Sequence, residues 1–132
     1  MPQASVQIRV PFFDVDSSER IHYTAMLRYM EIAEHELMRS IGFPYATTLL
    51  SLRFPRVHVS CDYRGAIRYD DMLTVEARID HIGRSSWTVV FTGRVIPGGE
   101  IAAEGKMTIV ALDPETERAR SLPDELRSAL SE

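Results

Sequence analysis

Asp14 and Asp16 stand in the run FFDVD at the end of a strand-like segment, and seven residues after Asp16, at Tyr23, the sequence begins an amphipathic helix. A helix start is a cluster of unpaired backbone N–H groups with a partial positive charge. The oxygen of a carboxyl or thioester carbonyl placed there is polarised with no help from a side chain. A carboxylate beside it can attack that carbonyl or activate a water. Asp16 is the candidate carboxylate, and the backbone N–H groups of Tyr23 and its neighbour Thr24 are the candidate donors. The plainer alternative is that Asp16 caps a turn or the helix, where Asp is common.

Other acids and histidines compete for these roles. Asp14 lies two residues from Asp16, on the same side of an extended segment, where two carboxylates raise one another's pKa; it is assigned to the scaffold. Glu19 shares the loop with Asp16 and is a rival acid or a solvated loop residue. On the helix, Glu31 falls at the margin of the apolar arc and Glu34 inside it. A buried unpaired carboxylate is costly, so Glu34 is expected to face a cavity, a subunit interface or an arginine, unless that part of the arc is exposed. His22 precedes the helix and is either within reach of a substrate or carboxylate, or a hydrogen-bonded structural residue. His35, His58 and His81 have no paired spacing, and with Cys61 as the only cysteine no metal site is recognisable. Ser17 and Ser18 lack the G-x-S-x-G elbow of a serine hydrolase.

The elements that position these residues follow from periodicity. Ser5 to Phe13 alternates as a strand, and Ser17 to Arg20 is a polar turn. Met26, Leu27, Met30, Ala33, Leu37, Met38 and Ile41 form one helical face, which Gly42 and Pro44 end. Phe43 to Pro55 has no clear period and reads as a loop or short helical turn. Val57 to Arg64, Met72 to Ile82, Ser86 to Ile96 and Ile101 to Leu112 are strands rich in Val, Ile, Thr and aromatics. Tyr69-Asp70-Asp71, Gly83-Arg84-Ser85 and Pro97-Gly98-Gly99 break them, the last two as hairpins. A final helix begins near Pro123, which suits a first helical position. One long helix followed by a meander points to an α+β domain with the helix on one face of an antiparallel sheet.

Size and composition bound the rest. A chain of 132 residues is one domain, spanning 1–132. Hydrophobic content of 45% and charged content of 26% are those of an ordinary globular protein. No apolar run reaches the roughly 20 residues of a membrane span. The first ten residues lack a signal-peptide pattern, and a single cysteine suggests no oxidising compartment, so a cytoplasmic location is expected. A formal charge of −4 argues against nonspecific nucleic-acid binding. It still allows a few arginines to hold an anionic group.

The element order, together with Asp14, Asp16, Ile21, Tyr23 and Glu31 in ungapped spacing and Tyr69-Asp70-Asp71-Met72-Leu73 before a strand, resembles the hotdog-fold acyl-CoA thioesterases of the 4-hydroxybenzoyl-CoA thioesterase type. The similarity spans about Val6 to Leu112. It implies a five-stranded antiparallel sheet wrapped around one long central helix. It also implies hydrolysis of an acyl thioester to free acid and CoA, with Asp16 as nucleophile or general base. Glu31 matches the family's acidic helix position, and Arg84, Ser85 and Ser86 match its phosphate-contacting hairpin. Phe54 and Pro55 would line an acyl or pantetheine pocket, or belong to the core. No separate cofactor is implied, because coenzyme A is part of the substrate. Glu19, Ala25 and Met26 depart from the family's usual glycine, asparagine and tyrosine. Glu19 implies a turn that needs no glycine-only backbone, or a loop of different shape.

A sheet wrapped on one helix leaves an open edge, and the family closes it by assembly, so at least a homodimer is expected, with a homotetramer as the larger option. Two alternatives to hydrolysis remain: an acyl-thioester-binding protein without catalysis, and a hydroxyacyl-thioester dehydratase using His22 with Asp16.

Overall fold

A computed structural model describes residues 1–48 and 51–132. Five strands form one antiparallel sheet: β1 (Gln3–Arg9), β2 (Arg56–Tyr63), β3 (Met72–Ile82), β4 (Ser86–Ile96) and β5 (Glu100–Val110). Their spatial order is β1-β3-β4-β5-β2. The expected meander therefore holds for β3, β4 and β5, while β2 leaves its sequence neighbour and pairs with β5 on the far side. The two long hairpins match the sequence boundaries of β3 and β4, because strict alternation buries Leu73, Val75, Ala77 and Ile79 on one strand and Trp87, Val89 and Phe91 on the other.

Helix α1 (Ala25–Ser40) buries Met26, Met30, Ala33, Leu37 and Met38 against one face of this sheet. Two glycines set how close it comes. A Cβ on Gly93 would stand 3.0 Å from the Met26 methyl, and one on Gly105 would stand 2.6 Å from Met30 Sδ and 3.1 Å from the Ser60 carbonyl. A side chain at either strand position would force the ends of these two methionines to shift. The helix ends as its sequence predicts. Gly42 has φ +88°, its N–H reaches the Arg39 carbonyl at 3.1 Å, and the Phe43 N–H reaches the Met38 carbonyl at 2.9 Å, a Schellman closure.

Several boundaries differ from the sequence expectation. β1 stops at Arg9, and Phe12–Asp14 is a single 3-10 turn instead of strand. α1 begins at Ala25, two residues later than Tyr23, with Thr24 as its N-cap. The crossover contains the short helix α2 (Tyr45–Thr48); the part of that expectation at Leu49 and Leu50 lies outside the described residues. Helix α3 (Asp124–Ser131) places Pro123 at its N-cap and packs Leu126 and Leu130 onto the core next to β3.

Candidate active site

The segment between β1 and α1 folds into a tight loop because its ends pair. Val15 bridges Ile21, the Asp16 N–H donates to the Arg20 carbonyl at 3.0 Å, and the Glu19 N–H donates to the Asp16 carbonyl at 3.0 Å. Glu19 closes this loop with φ +65°. The backbone there is the left-handed one that glycine adopts freely, so the expectation that Glu19 marks a turn without that conformation is corrected.

The two aspartates have opposite fates. Asp14 is buried; its Oδ1 accepts from Arg28 at 2.5 Å and its Oδ2 from the Tyr29 hydroxyl at 2.6 Å. Burial pushes its pKa up, but the hydrogen bonds from Arg28 and Tyr29 and the Arg28 charge outweigh it, leaving the carboxyl below its usual value. Asp16 is exposed, with Oδ1 accepting from the Ser18 N–H at 2.8 Å and the Ser18 hydroxyl at 2.6 Å. Those two bonds hold its carboxyl below the usual value despite some desolvation. The expectation that the pair raises one another's pKa is thus corrected: the 3-10 turn sends one side chain inward and leaves the other at the surface.

Asp16 stands where two clefts meet. A cleft of about 740 Å³ is lined by Phe12, Val15, Asp16, Glu19, Arg68 and Tyr69, among others. A second, of about 230 Å³, is lined by Asp16, Ser18, Ile21, Tyr23, Tyr63 and Ile67 with their neighbours. Tyr23 borders the second cleft. Its N–H has no acceptor among the described residues, and the carbonyl of the same peptide, on His22, accepts the Ala25 N–H at 2.8 Å. Thr24 differs from expectation. Its N–H donates to His22 Nδ1 at 3.2 Å, and its hydroxyl lies 2.8 Å from the same nitrogen, so this N–H is occupied. Acceptance of the backbone N–H makes Nδ1 the unprotonated nitrogen of the neutral ring, whose face stacks on Tyr23 at 4.3 Å.

The remaining candidates are not gathered around Asp16 within one chain. Glu31 is exposed on α1, about 10 Å along the helix from Thr24. Glu34 is fully buried and faces an arginine, Arg56. Phe54 is core, 5.4 Å from the Trp87 ring, and Pro55 beside it is exposed. Arg84, Ser85 and Ser86 form the β3–β4 hairpin at the opposite end of the sheet, on the order of 30 Å from the β3 start that adjoins the Asp16 loop. Phe12, Tyr69, Tyr63 and Arg68 have no place at the site in the sequence reading. Their approach depends on the path of residues 64–71 across the sheet end, which no local period encodes. Among the described residues no cluster of His, Cys, Asp and Glu is placed to hold a metal, and no helix is long and apolar enough to cross a membrane.

Comparison with known proteins bears on the family and the fold. The Thioesterase superfamily matches residues 19–102. The long-chain acyl-CoA thioesterase FadM of Escherichia coli K12 is 25% identical over 127 residues, covering 96% of each chain. A protein of Aquifex aeolicus is 31% identical over 81 residues, which are 61% of this chain and 63% of that one, so the match spans just under two-thirds of that relative. The crystal structure of a 1,4-dihydroxy-2-naphthoyl-CoA thioesterase from Synechocystis superposes with a TM-score of 0.91 at 15% identity, covering 98% of this chain and 96% of that one. The sheet wrapped on α1 is the hotdog fold, and the chain belongs to the thioesterase superfamily.

Proposed function

We propose that this protein hydrolyses acyl-CoA thioesters, with Asp16 as the catalytic carboxylate and the Tyr23 N–H as the donor to the thioester oxygen. The observation that carries the reading is the position of Asp16 on the wall shared by two clefts, beside an N–H with no acceptor among the described residues. A thioester laid across that wall has room for its acyl group on one side and its pantetheine arm on the other. The lowered pKa keeps Asp16 ionised at neutral pH.

Two routes fit the arrangement. In one, an Asp16 oxygen adds to the carbonyl, the C–S bond breaks to release CoA thiolate, and water then cleaves the mixed anhydride to free acid and Asp16. In the other, Asp16 takes a proton from water as its oxygen adds to the carbonyl, and the proton passes on to the departing thiolate. In both, negative charge builds on the carbonyl oxygen, where a preplaced N–H is most effective. Glu19 shares the larger cleft, but it is the residue of the turn and not of the shared wall.

A second copy of the chain completes the site in this reading. The open edge of β2 exposes Val57, Val59 and Tyr63, whereas β1 exposes Gln3, Gln7 and Arg9. Antiparallel pairing along β2 sets the Arg84–Ser86 hairpin of one copy at the same end as Asp16 of the other, where it supplies contacts to CoA phosphates. The test is a panel of short, long and aromatic acyl-CoAs with a free-thiol readout, alongside size-exclusion chromatography with light scattering. Thiol release and a mass of at least twice 15.0 kDa are expected. Silence across the panel would contradict the hydrolysis, and a monomer would contradict the shared site.

A further inference from the structure

The helix entrance is held from outside its own segment. The Tyr63 hydroxyl, on the last residue of edge strand β2, donates to the Tyr23 carbonyl across 40 residues of sequence. That carbonyl and the Thr24 N–H belong to one planar peptide, and the N–H end donates to His22 Nδ1 at 3.2 Å. The preceding peptide is held in the same way: its carbonyl, on His22, accepts the Ala25 N–H at 2.8 Å, while its N–H, on Tyr23, has no acceptor among the described residues. With both flanking planes fixed, the two backbone dihedrals of Tyr23 are fixed, and so is the direction of that N–H.

We propose that Tyr63 is a positioning residue for the reaction, locking the Tyr23–Thr24 peptide so that the Tyr23 N–H stays aimed at the thioester oxygen and the small cleft keeps its width. This rests on the acyl-CoA hydrolysis proposed above. Tyr23 and Tyr63 are both walls of the 230 Å³ cleft that contains Asp16, so their hydrogen bond spans it. Both rings are well exposed, 68% and 45%. One side-chain hydrogen bond to a backbone carbonyl is a small part of a domain's stability, so its effect is on geometry more than stability.

The test is Tyr63→Phe, which removes one oxygen and keeps the ring. kcat for thiol release from acyl-CoA is expected to fall about tenfold, less than the loss of a direct oxyanion donor, with KM within twofold and an unchanged melting temperature. A binding measurement separates positioning from folding. A 2-oxoalkyl-CoA thioether keeps a carbonyl and cannot be hydrolysed, while the matching alkyl-CoA thioether has none; the wild type should prefer the first, and Tyr63→Phe should lose most of that preference. An active wild type whose Tyr63→Phe variant keeps both kcat and the carbonyl preference would overturn the proposal and leave the hydrolysis standing. A wild type inert on every acyl-CoA would overturn both.

Discussion

Arg56, the first residue of β2, places Nη2 2.7 Å from Oε1 and 2.8 Å from Oε2 of Glu34, a carboxylate fully buried in the middle of α1. The Tyr45 hydroxyl donates to the same carboxylate, and the Arg56 guanidinium lies 5.6 Å over the Tyr45 ring while its Nη1 reaches the Phe54 carbonyl at 2.6 Å. The cluster ties the crossover and β2 to the helix. Removing one charge strands the other without a partner. Arg56→Met is therefore expected to cost about 3–5 kcal/mol in urea unfolding, and the double change with Glu34→Leu to recover most of that loss.

Acid stability tests the Asp14 brace. Its folded pKa lies below the unfolded value of about 3.9, so between the two the unfolded chain binds more protons and stability rises with pH. The contribution is complete above about pH 4 and lost as pH falls through the folded pKa. Asp14→Asn should lower stability at neutral pH by about 1–3 kcal/mol, through weaker bonds to Arg28 and Tyr29. It should also flatten the acid limb of the unfolding free energy measured between pH 2 and 5, a window taken on the order of one or two units either side of that pKa. An acid limb as steep as in the wild type would refute the brace.

The Glu19 turn separates shape from chemistry. A non-glycine residue in the left-handed region carries a cost of about 1–2 kcal/mol, while glycine loses more chain entropy on folding. Glu19→Gly is therefore expected to be neutral or to stabilise by up to about 1 kcal/mol, with kcat retained. A large fall in kcat at unchanged stability would assign Glu19 a chemical role.

What the sequence made legible follows from where the information is local. β3 and β4 alternate strictly, and α1 carries its apolar stripe and glycine stop, so these elements match their expected boundaries or nearly so. The helix start was misplaced because Tyr23 and Thr24 belong to a turn held by His22, a contact that helical periodicity does not report. The sheet order escaped because β2 pairs with β5 from some 45 residues away, as read from Ser60 opposite Lys106. Asp16 was legible by its type and its place before a helix. The burial of Asp14, the arginine facing Glu34 and the approach of Tyr63 depend on tertiary packing. The Arg84–Ser86 hairpin was read as part of the site, but one chain holds it at the other end of the sheet.

Thiol release by Asp16→Asn on an acyl-CoA that the wild type hydrolyses, with affinity for the substrate measured in parallel, separates catalysis by this carboxylate from binding. The amide keeps the shape and can still accept from Ser18, but it can neither attack a carbonyl nor take a proton. kcat is expected to fall at least about a hundredfold, with binding within a few-fold of the wild type. Turnover within a few-fold of the wild type would contradict Asp16 as the catalytic carboxylate.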